Sequence, residues 1–149
     1  MKRLLREIDI PPLWLALFAA AGWGVAQIVP VALPGGGLVG RALVGIGLAL
    51  MATAAAQMVA RHTTFIPRRD PAALVTGGAF ALSRNPIYLA DALVLSGLLI
   101  LWQGALALPL VPAFMILITR RFILGEEARI AAHFGADYAA YCSRTRRWL

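Results

Sequence analysis

The apolar stretch IYLADALVLSGLLILWQGALALPLVPAFMILIT, residues 87–119, decides the fold of this chain. Its one charged residue is Asp91. As a single helix rising about 1.5 Å per residue it would be about 50 Å long, whereas the hydrocarbon core of a bilayer is about 30 Å thick. We therefore expect a hairpin of two membrane-spanning helices. The reversal is expected at Trp102-Gln103-Gly104, because glycine permits tight turns and tryptophan favours the membrane interface.

Two further apolar runs precede this stretch, and each has the roughly 20 residues that a helix needs to cross a bilayer. Hydrophobic residues make up 60% of the chain and charged residues only 14%. An average soluble domain has about 25% charged residues. The sequence therefore predicts an all-α integral-membrane helical bundle that forms one domain over residues 1–149. Its four spans are expected at about 13–33, 38–60, 87–101 and 105–124.

The basic residues predict how these spans are oriented. They cluster before the first span, between the second and third spans, and after the fourth, with Arg41 alone on the other side. Because short cytoplasmic loops are enriched in lysine and arginine, we expect both termini and the loop 61–86 to face the cytosol. This bias and attraction to anionic lipids explain the net charge of +7 better than nucleic-acid binding does. In a bacterial source the membrane would be the plasma membrane.

Cysteine and histidine are too sparse for a disulfide or a metal site. Cys142 is the single cysteine, and it falls on the predicted cytosolic side, where thiols stay reduced. His62 and His133 stand alone in the sequence, so we expect no metal cofactor.

Polar residues able to take part in catalysis gather at the start of the third span. Arg84, Tyr88 and Asp91 have the spacing i, i+4 and i+7, so they face one side if the helix begins near Pro86. An ionisable residue inside a membrane span is costly and marks a candidate functional site. Arg84 or a hydroxyl is the expected partner of Asp91. The alternative is a structural ion pair near the interface.

An acidic pair, Glu126 and Glu127, follows the fourth span. With Arg120 and Arg121 nearby, the pair could instead be an ordinary salt-bridged helix end. The predicted topology brings this pair, the loop 61–86 and the start of the third span to one membrane face. We therefore expect a polar pocket there that opens sideways into the lipid.

Two helical faces border this predicted pocket. Thr53, Gln57 and Arg61 share the cytosolic end of one helix face, either as a wall of the pocket or as hydrogen-bonding and snorkelling groups. After the acidic pair, an apolar stripe of helical period predicts amphipathic helices that are interrupted at Gly135 and pack against the bundle. The stripe consists of Ile130, Phe134, Tyr138 and Tyr141.

Two sets of motifs resemble those of one family of membrane enzymes. The first set comprises His62-Thr63-Thr64-Phe65-Ile66-Pro67, Leu74-Val75-Thr76-Gly77 and Ser83-Arg84-Asn85-Pro86-Ile87-Tyr88-Leu89. The second comprises Glu126-Glu127 with Ile130, Phe134-Gly135, Tyr138 and Tyr141, closing with Arg144-x-Arg146-Arg147-Trp148. Together they cover roughly residues 61–149. The chain thus resembles the small membrane methyltransferases of the isoprenylcysteine carboxyl methyltransferase and phospholipid methyltransferase superfamily.

The resemblance implies S-adenosylmethionine as cofactor, S-adenosylhomocysteine as product, and methyl transfer to a lipophilic, membrane-resident small molecule or lipid. It implies a cytosolic cofactor site without a Rossmann domain, built from segments 61–91 and 120–149. The implied cofactor-binding residues are Thr76, Gly77, Arg84, Asn85, Pro86, Tyr88, Glu126, Glu127, Tyr138 and Tyr141. The implied catalytic residues are Tyr88, Asp91, Glu126 and Glu127, and the three carboxylates are the candidate general bases.

The chain also departs from the family pattern. Many relatives carry histidine where this chain has Asn85, and an asparagine cannot shuttle a proton at neutral pH. Two other functions remain open at this point: an NADPH-dependent membrane reductase of the sterol or enone type, which has a similar Arg-x-Pro-x-Tyr region, and a non-catalytic membrane scaffold. The sequence specifies neither the methyl acceptor, nor whether O, N or S is methylated, nor the oligomeric state.

Overall fold

The computed structural model describes residues 9–61 and 73–149, and over these residues the fold is all-α. The motif His62–Pro67 and the basic residues before the first helix lie outside the described residues. The first five α-helices of the described part are α1 (Pro11–Ile28), α2 (Gly36–Ala60), α3 (Ala79–Leu82), α4 (Pro86–Leu101) and α5 (Leu110–Ile118). A π-helical turn (Thr119–Ile123) then leads into α6 (Leu124–Arg144), and a 3-10 turn (Ala105–Ala107) precedes α5.

Three helical segments of the described residues are long and apolar enough to cross a membrane. They are Pro11–Ile28, Gly36–Ala60 and the continuous helical run Ala105–Arg144. α4 is apolar but has only 16 residues, which corresponds to about 24 Å of helix. The structure therefore describes a helical integral-membrane protein with three candidate spans, where the sequence predicts four.

Prolines shift the ends of the first helix from the predicted bounds of 13–33. α1 begins at Pro11, because proline is well suited to the first turn of a helix. It ends at Ile28 because Pro30 cannot donate a helical hydrogen bond and disfavours the helical conformation of the residue before it.

Glycines bring α2 and α4 into backbone contact. A Cβ atom added to Gly97 would lie 2.6 Å from the carbonyl oxygen of Gly40, and one added to Gly47 would lie 2.9 Å from the carbonyl oxygen of Ala90. Gly40 and Gly47 therefore let the two helices approach closely, whereas Gly45 has no atom within 4 Å of such a Cβ. This contact fixes α4, and with it Tyr88, against α2.

The core lies between α1, α4, α5 and the π-helical turn. Leu95, Leu99, Phe114, Ile118 and Ile123 are fully buried, and Phe18 of α1 meets Phe114 edge to face with ring centroids 5.5 Å apart. Tyr88 belongs to the same buried cluster. The hydrophobic core therefore continues up to the first turn of α4.

The third apolar stretch breaks where the sequence has Trp102-Gln103-Gly104. α4 ends at Leu101, and Gln103 has a positive φ of 59°. The carbonyl of Gln103 accepts a hydrogen bond from the Val31 amide at 2.6 Å, and the Val31 carbonyl accepts one from Ala105 at 3.2 Å. These bonds tie the break to the connection between α1 and α2.

The predicted helix 105–124 is not a single α-helix. It contains a 3-10 turn, α5 and a π-helical turn, and it runs without interruption into α6. Pro109 and Pro112 lack the N–H groups that would join the 3-10 turn and the start of α5 into one regular helix. Inside α6, Gly135 leaves the helical conformation with φ 49° and ψ −117°, so the predicted interruption at Gly135 is confirmed.

Candidate active site

A cleft with about 470 Å³ of empty space, open solvent included, lies where the loop before α4 meets α6. Residues from α2, from positions 73–85 and from α6 line it, and the polar ones are Arg84, Asn85, Glu127, Tyr138 and Tyr141. Its apolar walls are Met58, Ala73, Leu74, Val75, Phe80 and Ile130. Five predicted cofactor-binding residues thus share one cleft.

Glu127 is the negative centre of this cleft. The Arg147 guanidinium donates to both carboxylate oxygens, with Nη2 2.7 Å from Oε2 and Nε 3.1 Å from Oε1. Nη1 of Arg84 lies 3.6 Å from Glu127 Oε1. The carboxylate is therefore held between two arginines that come from segments far apart in the sequence.

One nitrogen of the Arg84 guanidinium has a hydrogen-bond partner, and another has none. Its Nη1 donates to the Cys142 sulfur at 2.8 Å, while its Nε is buried without a hydrogen-bond partner among the described residues. Burial lowers the pKa of Arg84, but the attraction of Glu127 and the bond to Cys142 outweigh it, so the pKa is raised. Arg84 thus remains a cation with one donor to spare.

The Tyr138 hydroxyl is a second buried group that lacks a strong partner. The residue is 6% exposed, and its hydroxyl has no hydrogen-bond partner among the described residues apart from a weak interaction with the Cys142 sulfur. Native proteins rarely leave such groups unsatisfied, so each is a candidate ligand contact. Because Arg84 and Tyr138 both line the cleft, two polar groups are available there to a bound molecule.

Segment 145–148 closes one side of the site through hydrogen bonds that its backbone carbonyls accept. The Arg147 carbonyl accepts from Ser83 Oγ at 3.0 Å and from Asn85 Nδ2 at 3.2 Å. The Arg84 amide donates to the Arg146 carbonyl at 2.9 Å. The Asn85 amide group therefore anchors segment 145–148, and its Oδ1 is the atom that remains for a ligand.

Tyr88 and Glu126 form a pair next to the cleft. Pro86 sets the start of α4, so that Tyr88 in the first turn faces α6 and donates from its hydroxyl to Glu126 Oε1 at 2.9 Å. Tyr88 is only 8% exposed. Neither residue lines the cleft, although each is close in sequence to a residue that does.

Two further polar side chains fix the short helix α3 above the cleft. Tyr141 donates to the Phe80 carbonyl at 2.6 Å, and Gln57 Oε1 accepts from the Ala79 amide at 3.0 Å. The predicted polar face of α2 is therefore used in part, because Thr53 bonds only to carbonyls of its own helix. Gln57 supports the wall that contains Phe80.

Asp91 does not have the partner that the spacing predicts. Asp91 is 5% exposed and its side chain makes no hydrogen bond or ion pair with any other described residue, while Arg84 pairs with Glu127 instead. The prediction was wrong because Arg84 precedes α4, so the helical spacing does not extend to it. Asp91 also lies outside the cleft lining.

The alternative of a local ion pair with the preceding arginines is not what the structure shows for Glu127. Arg121 binds Asp9, with Nε 2.7 Å from Oδ1. Glu127 is paired instead with Arg147, twenty positions further along the chain. Arg120 and Arg121 lie within the π-helical turn that precedes α6, and this turn changes the register in which these side chains point.

Thr76 and Gly77 are predicted cofactor-binding residues that do not line the cleft, and Gly77 faces open space. Sequence reasoning missed Arg147 and Cys142 as site residues, although the Arg-x-Arg-Arg-Trp motif pointed toward the first of them. It also missed the apolar lining, because Met58, Val75 and Ile130 resemble ordinary core residues. The described residues contain no group of three or more His, Cys, Asp or Glu that could hold a metal ion.

Comparison with known proteins identifies a family. The family model described as phospholipid methyltransferase matches residues 37–137, which include α2 from its second residue, α3 to α5 and the Glu126-Glu127 pair. No curated protein and no solved structure matches the chain. The family match covers more than half of the sequence and agrees with the motifs that meet in the cleft. The chain therefore belongs to the phospholipid methyltransferase family.

Proposed function

We propose that the protein is an S-adenosylmethionine-dependent methyltransferase that acts on a lipophilic acceptor resident in the membrane. The observation that carries this proposal is the cleft in which Glu127, Arg84 and Tyr138 meet, with two buried polar groups lacking strong partners. Membership of the family supplies the reaction class.

The residues of the cleft suit the groups of this cofactor. Arg84 Nε and the Tyr138 hydroxyl can donate to its carboxylate. Glu127 can face its sulfonium cation or its ribose hydroxyls, and the apolar wall around Phe80 and Ile130 suits adenine. When bound, the cofactor supplies an electrophilic methyl group. The residues of this chain then contribute by orienting the reactants and excluding water, which can account for much of the acceleration.

Glu126 is our choice for the general base where the acceptor must lose a proton. Its Oε1 accepts from Tyr88, which fixes the orientation of the carboxylate beside the cleft. As the general base, this carboxylate would accept the proton. Asp91, buried in α4, is the second candidate and would serve an acceptor that reaches deeper.

We further propose that four helices span the bilayer, with α4 and the segment 105–124 as a hairpin and both termini on the cytosolic side. α4 would span as a short helix of about 24 Å, which bilayers accommodate by local thinning or by snorkelling flanking residues. The cleft would then lie at the cytosolic face. A water-soluble cofactor and a lipid acceptor could approach it from different sides.

Cofactor binding is the direct test. We expect S-adenosylhomocysteine to raise the thermal stability of the purified protein in detergent, by about 2.7 kcal/mol at 100 times its Kd. Glu127→Gln should weaken binding at least tenfold, because bonds to charged groups contribute about 1.5–3 kcal/mol. Asp137→Asn, an exposed acidic residue on the same helix, is the matched control and should bind normally.

The absence of any binding of S-adenosylhomocysteine by folded protein at millimolar concentration would exclude the proposed function. Stabilisation by NADPH alone would instead favour a membrane reductase. Equal affinity of the wild type and Glu127→Gln would remove Glu127 from the cofactor site while leaving the reaction class in place.

A further inference from the structure

A second cavity lies on the outside of α5, away from the proposed cofactor cleft. It contains about 690 Å³ of empty space and shares no lining residue with that cleft. The described residues that line it are Pro112, Met115, Ile116, Thr119, Arg120 and Trp148. We call this cavity the α5 groove.

The groove changes from apolar to polar along its length. Pro112, Met115 and Ile116 form the apolar end, and Thr119 and Arg120 form the polar end. Positions 112 to 120 span about 12 Å at the rise of a helix. One leaflet contributes about 15 Å to the hydrocarbon core, so the groove follows most of the depth of a single leaflet.

Arg120 brings an uncompensated charge to the polar end. It is exposed and has no ion-pair partner among the described residues. Its neighbour Arg121 is different, because it binds Asp9 at 2.7 Å and lies 5.3 Å over the ring of Trp14. The groove therefore offers a free cation at the end of an apolar track.

Trp148 forms the wall next to this cation. It is partly buried and packs against the hydrophobic core, so it is held in place beside the groove. Tryptophan is enriched where the lipid headgroups meet the hydrocarbon region. Its place beside Arg120 puts the polar end of the groove at headgroup depth.

We propose that the α5 groove binds one anionic phospholipid of the membrane, with the phosphate at Arg120 and one acyl chain along Pro112, Met115 and Ile116. A phospholipid presents both chemical groups at the matching depth. A second copy of this chain is a poorer occupant, since its net charge of +7 would bring further cations to Arg120. The inference depends on membrane insertion and does not depend on methyl transfer.

Lipid retention measured by native mass spectrometry tests this proposal. The full chain in detergent is offered phosphatidylglycerol or phosphatidylcholine with identical acyl chains. We expect the wild type to retain one phosphatidylglycerol in preference to phosphatidylcholine. Arg120→Gln should reduce that retention roughly fivefold, because a basic residue near a membrane surface contributes about 1 kcal/mol to anionic-lipid binding.

The matched control is Arg144→Gln, which removes the same charge from an exposed arginine outside the groove. It should retain the anionic lipid as the wild type does. An equal loss in both variants would mean general electrostatic attraction and would overturn the proposal. So would retention by the wild type that does not distinguish the two headgroups.

A second variant tests the acyl-chain track. Ile116 is 55% exposed on the groove, so Ile116→Trp should fill the apolar end without disturbing the core and should lower retention of both lipids. Leu106→Trp, at a 57% exposed position outside the groove, is its control. If Ile116→Trp retains both lipids as the wild type does, the acyl chain does not lie in the α5 groove and the proposal is overturned. Both groove variants should keep their stabilisation by S-adenosylhomocysteine, which separates this result from a failure of the proposed function.

Discussion

At the scale of residues, Glu127 shows how distant parts of the chain make one site. Arg84 precedes α4 and Arg147 follows α6, yet both approach the same carboxylate, at 3.6 Å and 2.7 Å. The hydrogen bond from Arg147 to Glu127, opposed by partial burial, raises the pKa of Arg147. Both arginines therefore stay charged, and a bound sulfonium has to share Glu127 with them.

The sequence predicted part of this arrangement. The motifs predicted Arg84, Asn85, Glu127, Tyr138 and Tyr141 as site residues, because those residue types recur at family spacing. The pairing of Glu127 with Arg147 could not be predicted, because a salt bridge across twenty positions has no local periodicity. The bonds of Ser83 and Asn85 to the Arg147 carbonyl could not be predicted either. Every residue has a backbone carbonyl, so the residue type does not indicate which carbonyl will accept a bond.

Tyr88→Phe tests the role of the Tyr88 and Glu126 pair. Only the hydroxyl that donates to Glu126 Oε1 is removed, so the core packing of the ring is kept. We expect about a tenfold loss of methyl transfer, since a hydrogen bond to a charged group contributes about 1.5–3 kcal/mol, with cofactor affinity nearly unchanged. The measurement is labelled methyl incorporation into a total lipid extract.

The control for this measurement is Thr53→Val, which removes a hydroxyl that bonds only to its own helix. It should transfer methyl groups at the wild-type rate. Undiminished turnover by Tyr88→Phe would show that the hydroxyl does not orient a catalytic carboxylate.

At the scale of elements, the length and charge of apolar runs predicted the helices, and prolines and turns decided their ends. The run 87–119 breaks near Trp102, as expected for a run that is too long to cross the bilayer as one helix. The π-helical turn Thr119–Ile123 was not predictable, because the surrounding run is apolar on all sides and gives no period from which an extra residue could be detected. That turn sets how α6 presents Glu126 and Glu127.

Gly78→Ala tests the short helix α3 as the support of the cleft wall. Gly78 has φ 59° and ψ −124°, a region that only glycine adopts readily, and an added Cβ would overlap the Gln57 amide. We expect a loss of stability of about 1–3 kcal/mol and weaker binding of S-adenosylhomocysteine, because Phe80 on α3 lines the cleft. Thermal unfolding in detergent, with and without the ligand, measures both.

The neighbouring Gly77→Ala provides a matched control. Gly77 has no positive φ, and an added Cβ would have nothing within 4 Å. It should behave as the wild type. Equal stability of the two variants would mean that the loop adjusts freely and that α3 does not support the cleft.

At the scale of the whole molecule, segment 145–148 connects the core, the proposed cofactor cleft and the α5 groove. Its backbone accepts bonds from Ser83, Arg84 and Asn85. Arg147 binds Glu127, and Trp148 packs on the hydrophobic core and lines the groove. The family match ends at residue 137, and from the sequence it was the closing Arg144-x-Arg146-Arg147-Trp148 motif that indicated this segment as part of the site.

Releasing segment 145–148 should therefore weaken the cofactor site without unfolding the bundle. In the double variant Arg147→Ala and Trp148→Ala, we expect S-adenosylhomocysteine to bind at least tenfold more weakly, because Ser83, Arg84 and Asn85 lose their fixed acceptors. The bundle should persist, since the contact of α2 with α4 involves neither residue. Calorimetry of the detergent-purified protein measures the affinity, and the exposed pair Arg144→Ala and Leu149→Ala is the control. Unchanged or tighter binding by the first variant would show that Arg147 merely competes with the ligand for Glu127.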